Sequence, residues 1–352
     1  MKAILLAGGK GTRLRPLTLH TPKPVVPIFD KPFLQYQIDL IRQVPEIDEV
    51  IVSLNYQPDQ IEKIIGDGKN FGLKVRYLVE PTPFGTAGAV KYAEKLLDKS
   101  VVVLNGDVLT QIDLTKVIKQ HNSLKSKATI VLTPVDNPAA YGLVETRPDG
   151  SVKQFLEKPS PGEITCNTIN AGIYVLETDT LDRIPKDTPW SIERSYFPSL
   201  VERKESFSAY IYNGYWIDIG TPEKYHQVHR DIMDGNYLAA PFSGEERTFV
   251  SLDPSAKVAD DTEIIGPCFI ANNAVIKSGA RILPYSVIGP RCHIDKDVVI
   301  ENTILWADSQ IDQAAVVQGA ILGQQCHVMA NTRIKPQTVI GSASTLTSYS
   351  HV

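Results

Sequence analysis

Short apolar runs alternate with amphipathic stretches along the first 135 residues. The apolar runs predict strands, and they lie at Lys2–Ala7, Val50–Leu54, Lys74–Val79, Val101–Leu104 and Ala128–Val135. The amphipathic stretches predict helices at Phe33–Val44, Pro58–Ile65, Ala87–Leu97 and Leu114–His121. Because helices join parallel strands as crossovers, the alternation predicts an α/β fold with a Rossmann-like, mixed and mainly parallel sheet. Ligands of such sheets bind beyond the carboxyl ends of the strands.

Shorter strands dominate from residue 141 to about 220, where the pattern predicts Val152–Leu156, Ala171–Leu176 and Phe207–Tyr212. A helix then follows, because Thr221-Pro222-Glu223 combines an N-cap residue, a proline at the first helical position and an early acid. We expect this helix to run to about Met233 and to close a first domain at residues 1–240.

The pattern changes after residue 245. Aliphatic residues recur at every sixth position from Leu252 to Ile300, and most have a small residue two positions earlier. The period shifts by one at Leu305 and again at Leu322, which we interpret as changes at corners. A period of six predicts a second domain at 246–352, a hexapeptide parallel β-helix of about five coils. Open end coils need caps or partners, so we expect a homo-oligomer assembled partly through this domain.

Composition limits the classes of partner. The 352 residues are 43% hydrophobic and 22% charged, which suits two globular domains. A net charge of −4 argues against a nucleic-acid partner, and no 18-residue apolar run is present to span a membrane. The apolar start is too short for a secretory signal, so we expect a cytoplasmic protein. Four cysteines without C-x-x-C spacing indicate neither a zinc site nor a disulfide framework.

A glycine-rich loop follows the first predicted strand. Gly8, Gly9 and Gly11 allow a sharp bend and a close approach of backbone N–H groups to a ligand. The cations near this loop are Lys10, Arg13, Arg15 and Lys23. The spacing matches neither the P-loop nor the dinucleotide-binding fingerprint. The basic surroundings predict a polyanion site.

Two carboxylates complete the candidate chemistry. Asp107 follows Asn105-Gly106 at the end of a predicted strand, although an acid in an ordinary Asn-Gly turn is the alternative. Asp218 lies between two isoleucines, a setting that is disfavoured unless the acid is paired or bound to a metal. Two acids facing a phosphate loop suit Mg2+, which completes its shell with water and substrate phosphates.

The run from Gly8 to Leu17, followed by Pro22-Lys23-Pro24, resembles the signature of the sugar nucleotidyltransferases, or NDP-sugar pyrophosphorylases. The likeness spans nearly the whole chain and continues through Glu157-Lys158-Pro159 and Asn170-Ala171-Gly172. It is greatest to the mannose-1-phosphate guanylyltransferases that carry a C-terminal left-handed β-helix, which implies a left-handed β-helix for residues 246–352. The resemblance implies transfer of a nucleotidyl group from an NTP to a sugar 1-phosphate, with release of pyrophosphate.

The resemblance also assigns roles to residues. It places the nucleotide at Leu6, Ala7, Gly8, Gly9, Gly11, Thr12, Arg13, Lys23, Glu80, Gly85, Thr86, Ala87, Asn105 and Gly106. It places the sugar phosphate at Tyr141, Gly142, Glu157, Lys158, Asn170 and Gly172. It implies that Asp107 and Asp218 hold Mg2+. Arg13 and Lys23 would hold the triphosphate and Lys158 the attacking phosphate, and these three are the catalytic candidates.

The substrate pair and three alternatives remain open at this point. Glu80 with Gly85-Thr86-Ala87-Gly88 resembles the base-reading loop of guanylyltransferases, which favours GTP with mannose 1-phosphate. Gly85-Thr86 would serve equally well as a helix start. The alternatives are a glucose-1-phosphate thymidylyl- or uridylyltransferase, a catalytically silent regulatory or scaffold subunit, and a second acyltransferase activity based on His293 or His327.

Overall fold

A computed structural model describes residues 1–138, 141–157, 164–242 and 248–352. The chain forms two compact units. The sheet unit comprises Met1–Gly9 and Leu34–Trp216, and the solenoid unit comprises Lys10–Phe33 and Ile217–Val352. Because this grouping places the segment 10–33 with the solenoid, it does not correspond to the predicted domains 1–240 and 246–352, which stay a prediction.

Among the described residues before the solenoid there are thirteen strands and six α-helices. The strands are β1 Lys2–Leu6, β2 Pro27–Ile28, β3 Lys31–Pro32, β4 Glu49–Leu54, β5 Lys74–Val79, β6 Ser100–Asn105, β7 Val108–Thr110, β8 Ala128–Pro134, β9 Gly142–Thr146, β10 Val152–Glu157, β11 Thr168–Glu177, β12 Phe207–Ile211 and β13 Trp216–Asp218. The helices are α1 Phe33–Ile41, α2 Pro58–Ile65, α3 Gly85–Ala93, α4 Leu114–Ser123, α5 Phe197–Glu202 and α6 Pro222–Met233. In the described part of the chain no helix is long and apolar enough to cross a membrane.

The sheet unit is built on one mixed sheet with the order β10-β9-β11-β6-β1-β4-β5, and β8 joins β11 to β12. Strand β1 pairs in parallel with β4 and β6, so that Ile4 lies between Ile51 and Val103. All three side chains are fully buried, which explains the continuous apolar runs of these strands. Strand β11 is antiparallel to β6, β8 and β9. The predicted Rossmann-like parallel layer is confirmed, and its second half is antiparallel.

The solenoid contains seventeen short strands. They are β14 Val250–Leu252, β15 Lys257–Val258, β16 Glu263–Ile264, β17 Cys268–Ile270, β18 Val275–Ile276, β19 Arg281–Ile282, β20 Ser286–Ile288, β21 His293–Ile294, β22 Val299–Glu301, β23 Ile304–Leu305, β24 Gln310–Ile311, β25 Val316–Gln318, β26 Ile321–Leu322, β27 His327–Val328, β28 Arg333–Ile334, β29 Val339–Ile340 and β30 Thr345–Leu346. They form three parallel sheets of six, six and five strands, which makes five full coils and two strands of a sixth.

The predicted register shifts are confirmed by the strand pairing. Ile270 pairs with Ile288 eighteen residues on, whereas Ile288 pairs with Leu305 only seventeen residues on. The missing residue is lost at the corner between β22 and β23, where Asn302 has a positive φ of 47°. Left-handed residues also recur at the corners from Asn273 onward, with glycine at only two of them, Gly279 and Gly319. The corner geometry of the coil therefore overrides the usual preference for glycine.

The cysteines and histidines of the solenoid have structural surroundings. Cys268 and Cys292 are fully buried in the small inward positions, and burial raises the pKa of their thiols to about 11 and about 12. They are therefore packing residues, as predicted. His327 lies on the outer surface, where its Nε2 is 2.8 Å from Asp312 Oδ2 on the preceding coil. This hydrogen-bonded contact supports a structural role rather than the base of an acyltransferase.

Apolar side chains remain exposed at both ends of the solenoid. Leu252 on the first coil is 46% exposed, and Tyr349 beyond β30 is 73% exposed. The end strands also present backbone groups on one side, which favours pairing with another chain.

We expect the full-length chain to form a homo-oligomer through these end coils. By light scattering at micromolar concentration, the wild type should exceed the monomer mass, and Leu252→Lys combined with Tyr349→Lys should shift it toward the monomer. Gln310→Lys, an exposed change on a middle coil, is the control and should leave the mass unchanged. A wild-type chain that is monomeric under these conditions would contradict the prediction.

Candidate functional site

The carboxyl ends of the two central parallel strands meet at one glycine. The Gly106 N–H donates a hydrogen bond of 2.9 Å to the carbonyl oxygen of Leu6. A Cβ on Gly106 would lie 2.5 Å from that oxygen and 3.0 Å from Ala7 Cα, so no larger residue fits. The predicted nucleotide positions Leu6, Ala7, Asn105 and Gly106 are thus brought together at the end of the sheet.

The next two glycines differ from Gly106. A Cβ on Gly8 would make ordinary contacts of 3.4 Å with Asn55, and a Cβ on Gly9 would have no neighbour within 4 Å. Neither has a positive φ. The packing of the protein therefore does not require glycine at position 9, and the open space above its backbone is available to a ligand.

Glu80 organises the loop that follows β5. Its side chain is 6% exposed, and it accepts hydrogen bonds of 2.7 Å from Ser53 Oγ and 2.8 Å from the Phe84 N–H. These contacts fix the bend from residue 80 to residue 84. The structure thus gives Glu80 a role in shaping the loop, and its predicted contact with the nucleotide base stays a prediction.

The Gly85-Thr86-Ala87-Gly88 run forms the first turn of α3, which is the helix-start alternative. The Ala87 and Gly88 N–H groups donate to the Trp190 carbonyl at 2.9 and 3.2 Å. Gly85 has a φ of 71°, and a Cβ there would lie 2.9 Å from the same carbonyl oxygen. The small residues are therefore explained by the close approach of the segment around Trp190, which sequence reasoning missed. Base recognition by this run stays a prediction.

A bulge in β11 gathers the predicted sugar-binding residues. Asn170 Nδ2 donates to the Tyr174 hydroxyl at 2.8 Å, and the Gly172 N–H donates to Asn170 Oδ1 at 2.9 Å. Gly172 has a φ of 73°, and a Cβ there would lie 2.8 Å from Asn105 Nδ2. The bulge thus brings Asn170 and Gly172 to Asn105, at the end of β6.

Sequence reasoning missed two aromatic residues that line the same bulge, Trp216 and Tyr174. Trp216 Nε1 donates to the Ala171 carbonyl at 2.9 Å, and the Tyr141 ring packs edge-on against Trp216 at 5.7 Å. Tyr174 is fully buried, and burial together with the negative charges of Glu193 and Asp107 raises the pKa of its hydroxyl well above the usual value. Asp107 therefore lies close enough to influence this cluster. The tryptophan before Ile217-Asp218 was the available signal.

The Glu157-Lys158-Pro159 motif is only partly described. Glu157 is the last residue of β10 and pairs across the sheet with Gly142, so the backbone places these two predicted sugar positions side by side. Lys158 lies outside the described residues, and its predicted role as the phosphate ligand stays a prediction.

The remaining phosphate-loop residues belong to the solenoid unit. Gly11 has a φ of 61°, and a Cβ there would lie 3.1 Å from Lys23 Cβ. Thr18 Oγ1 donates to the Gly11 carbonyl at 2.7 Å, which closes the loop on itself. Thr12 and Arg13 are exposed, and the Arg13 guanidinium packs on the backbone of Gly220, where a Cβ would lie 2.8 Å from Nη2. The predicted cations Arg13 and Lys23 are therefore held by one tightly folded segment.

Asp218 forms an ion pair with Lys224 on the first turn of α6. Its side chain is 15% exposed. An acid in this setting was expected to be paired or bound to a metal, and the structure shows it paired with Lys224. In the described parts of the chain no group of three or more His, Cys, Asp or Glu residues could form a complete metal cage. Mg2+ is commonly bound by one or two carboxylates, with substrate phosphates and water as its other ligands, so two aspartates are a suitable set of protein ligands.

Comparison with known proteins identifies the family. The model of the family described as nucleotidyl transferase matches residues 2–235, and the model described as GMPPB C-terminal domain matches residues 264–352. The first covers more than half of the chain. The chain therefore belongs to the nucleotidyl transferase family, as the loop signature predicted, with a C-terminal domain related to that of GMPPB.

Individual relatives agree with this assignment. The chain is 32% identical to a UTP–glucose-1-phosphate uridylyltransferase of Synechocystis over 93% of this chain and 88% of that protein. It is 36% identical to a mannose-1-phosphate guanylyltransferase of Mycobacterium tuberculosis over 85% and 83% of the two chains. The crystal structure of HddC from Yersinia pseudotuberculosis complexed with GMP-PN is 31% identical, with a TM-score of 0.55, and covers 66% of this chain and 99% of its own.

Gly9 gives a direct test of ligand approach. We expect Gly9→Ala to leave the melting temperature unchanged or slightly higher, because its Cβ meets nothing in the protein. The same methyl group should obstruct a triphosphate, and the KM for the NTP should rise about tenfold or more.

Gly150→Ala is the matched control, since position 150 also has no neighbour within 4 Å but has a φ of 79°. It should show the reverse pattern, with a lower melting temperature and an unchanged KM. If Gly9→Ala binds the NTP as the wild type does, the nucleotide does not approach the loop at this glycine.

Proposed function

We propose that the protein transfers a nucleotidyl group from an NTP to a sugar 1-phosphate, and that its preferred pair is GTP and mannose 1-phosphate, which gives GDP-mannose and pyrophosphate. The observation that carries this proposal is the joint match of a nucleotidyl transferase domain and a GMPPB C-terminal domain along one chain. The guanylyltransferase of Mycobacterium tuberculosis and the GMP-PN complex of HddC support a guanine nucleotide.

The chemistry is a displacement at the α-phosphorus of the NTP. An oxygen of the sugar 1-phosphate forms a bond to that phosphorus, while the bond to the oxygen that bridges the α- and β-phosphates breaks and pyrophosphate leaves. The protein has little covalent work to do here. Its contribution is to hold two anions in line and to neutralise the charge on the phosphoryl oxygens.

The candidate site residues suit these tasks. Arg13 and Lys23 would hold the triphosphate, because the segment around Gly11 and Thr18 restricts their positions. Lys158, which is outside the described residues, would hold the attacking phosphate as a compact positive charge. The amide side chains of Asn105 and Asn170 lie at the β11 bulge, where the buried Tyr174 hydroxyl fixes Asn170, and amide groups suit a sugar with many hydroxyls.

A divalent metal ion is typical of nucleotidyl transfer in this family, and we propose that it is Mg2+. When bound, it would neutralise charge on the substrate phosphates. Asp107 and Asp218 are the residues proposed to hold it. Lys224 would then share Asp218 with the metal, since the two side chains are paired in the structure.

A catalytically silent subunit is the weaker candidate. Such a subunit would be expected to lack some of the charged residues of the site, but Arg13, Lys23, Asp107, Lys158 and Asp218 are all present. Pyrophosphate release by the purified chain alone would exclude this alternative.

We expect the highest kcat/KM with GTP and mannose 1-phosphate in a panel that pairs GTP, UTP, dTTP, ATP and CTP with mannose 1-phosphate and glucose 1-phosphate. Pyrophosphate release is the measurement. A clearly higher value for UTP or dTTP with glucose 1-phosphate would overturn the guanylyl assignment but leave nucleotidyl transfer intact. The Synechocystis relative makes UTP the most informative competitor.

The pairing of Asp218 with Lys224 allows a test of the metal role. Asp218→Asn removes a negative charge, so we expect the Mg2+ concentration at half-maximal rate to rise and kcat to fall by about tenfold or more. Lys224→Met removes the competing cation. The Mg2+ concentration at half-maximal rate should then fall by about fivefold, as expected for the loss of a partly exposed ion pair worth about 1 kcal/mol.

The double variant that combines Asp107→Asn and Asp218→Asn should have a kcat only slightly lower than that of the less active single variant if both acids bind one metal ion. The metal role of Asp218 would be excluded by near wild-type kcat and Mg2+ dependence in Asp218→Asn. Asp218 would then serve only to pair with Lys224.

A further inference from the structure

Two consecutive hydrogen bonds connect the solenoid with the segment that carries Lys23. Trp306, which follows β23, donates from Nε1 to the Tyr225 hydroxyl oxygen at 2.9 Å. The Tyr225 hydroxyl in turn donates to the carbonyl oxygen of Pro27, which is half-buried. Trp306 is 3% exposed and Tyr225 is fully buried, so the bond between these two side chains is shielded from water. All three residues belong to the solenoid unit.

The direction of both bonds follows from the chemistry of the groups. An indole N–H can only donate and a carbonyl oxygen can only accept. Tyr225 must therefore accept from Trp306 and give its single hydroxyl proton to Pro27. Both bonds use the same hydroxyl group, so Tyr225→Phe removes both at once.

His229, one turn further along α6, makes a second connection to the same segment. Its Nε2 accepts from the Phe29 N–H at 3.1 Å, and its Nδ1 donates to the Tyr225 carbonyl at 3.0 Å. These partners require the neutral ring with its proton on Nδ1. Burial supports that state, because it lowers the pKa of His229 to about 3.

The turn between β2 and β3 is also fixed by packing. Phe29 has a φ of 56° and is 4% exposed. Its ring lies 5.3 Å from that of Phe242 and 5.0 Å from that of Phe269, a residue of solenoid strand β17. A residue without a glycine's freedom persists in this conformation only where its surroundings determine it. The second coil of the solenoid, which carries Phe269, is part of those surroundings.

A late coil reaches an earlier part of the segment. A Cβ on Gly341 would lie 3.1 Å from Pro16 Cβ, so the backbone after β29 packs directly on Pro16. Pro16 follows Arg15, near the start of the segment 10–33. The solenoid therefore contacts the segment 10–33 at both Pro16 and Phe29, on either side of Lys23.

Lys23 is joined to the anchored turn by a short and ordered stretch of backbone. Residues Lys23–Val25 form one 3-10 turn, in which the Val26 N–H donates to the Lys23 carbonyl at 3.2 Å. The Phe33 N–H then donates to the Val26 carbonyl at 3.0 Å and closes the hairpin of β2 and β3. A displacement of Pro27 would therefore be transmitted to Lys23 rather than absorbed by a flexible linker.

We propose that Tyr225 and Trp306 are positioning residues, through which the β-helix holds the Lys23 segment in the geometry that the triphosphate requires. The consequence for the reaction rests on the proposed function, because it assumes that Lys23 binds the NTP. The β-helix then contributes to catalysis within a single chain, in addition to any part it has in assembly.

The test compares Tyr225→Phe and Trp306→Phe with Tyr285→Phe. Tyr285 provides a matched control, because its hydroxyl also links the solenoid to α6, donating to Asp234 Oδ1 at 2.8 Å at the far end of the helix. We expect Tyr225→Phe to lower kcat/KM for the NTP by about ten- to a hundredfold, since small displacements of charged groups have effects of that size. Trp306→Phe, which leaves the bond from Tyr225 to Pro27 in place, should show the same change to a smaller extent.

The pattern of the kinetic constants separates positioning from general loss of stability. The KM for the sugar 1-phosphate should stay within about twofold of wild type in all three variants, and Tyr285→Phe should keep the wild-type kcat/KM for the NTP. Melting temperatures should fall in both Tyr225→Phe and Tyr285→Phe, and further in Tyr225→Phe, because that variant loses two hydrogen bonds rather than one. Equal activities in these two variants would overturn the proposal.

Hydrogen exchange provides a readout that does not depend on turnover. The amides of residues 16–33 should exchange faster in Tyr225→Phe and Trp306→Phe than in the wild type, and at the wild-type rate in Tyr285→Phe. Unchanged exchange in Tyr225→Phe would refute the positioning role even if the wild type proved inactive. Faster exchange with an inactive wild type would instead contradict the proposed function alone.

Discussion

The site depends on one close approach of backbone, the hydrogen bond from the Gly106 N–H to the Leu6 carbonyl. It joins the ends of the two central parallel strands, where both chains must turn away from the sheet. Because a side chain on residue 106 would overlap Leu6 and Ala7, glycine is the only residue that allows the strands to end together. The glycine-rich loop, Asn105 and Asp107 all take their positions from this junction.

Helix α6 has a comparable place in the solenoid unit. Its first turn carries Lys224, which pairs with Asp218, and its next residue Tyr225 connects Trp306 with Pro27. His229 adds the bond to Phe29. A single helix thus connects a candidate metal ligand with the segment 10–33 and with the solenoid. The uncharged state of His229 is essential to this arrangement, since a protonated ring would present a second donor to the Phe29 N–H.

The features that could be predicted from sequence are those encoded by local repetition. The hexad period predicted the coils, and even the one-residue shifts at Leu305 and Leu322 proved to be shortened corners. The strand and helix alternation predicted the parallel layer in the same way. The left-handed corner residues were not all predictable, because Tyr285 and Ala314 adopt positive φ through the geometry of the coil rather than through their own preference.

Contacts between distant parts of the chain account for the roles that sequence reasoning missed. The Trp190 carbonyl accepts hydrogen bonds from the first turn of α3, about a hundred residues earlier in the chain. The sequence around Gly85 does not predict this contact. Trp216 lies two residues before Asp218, and the sequence gives no sign that its indole binds the backbone of β11. A conspicuous glycine is similarly ambiguous from sequence alone. Gly85 and Gly106 are required by neighbouring backbone, whereas Gly9 meets nothing in the protein, so the glycine with no structural reason is the one that best reports a ligand.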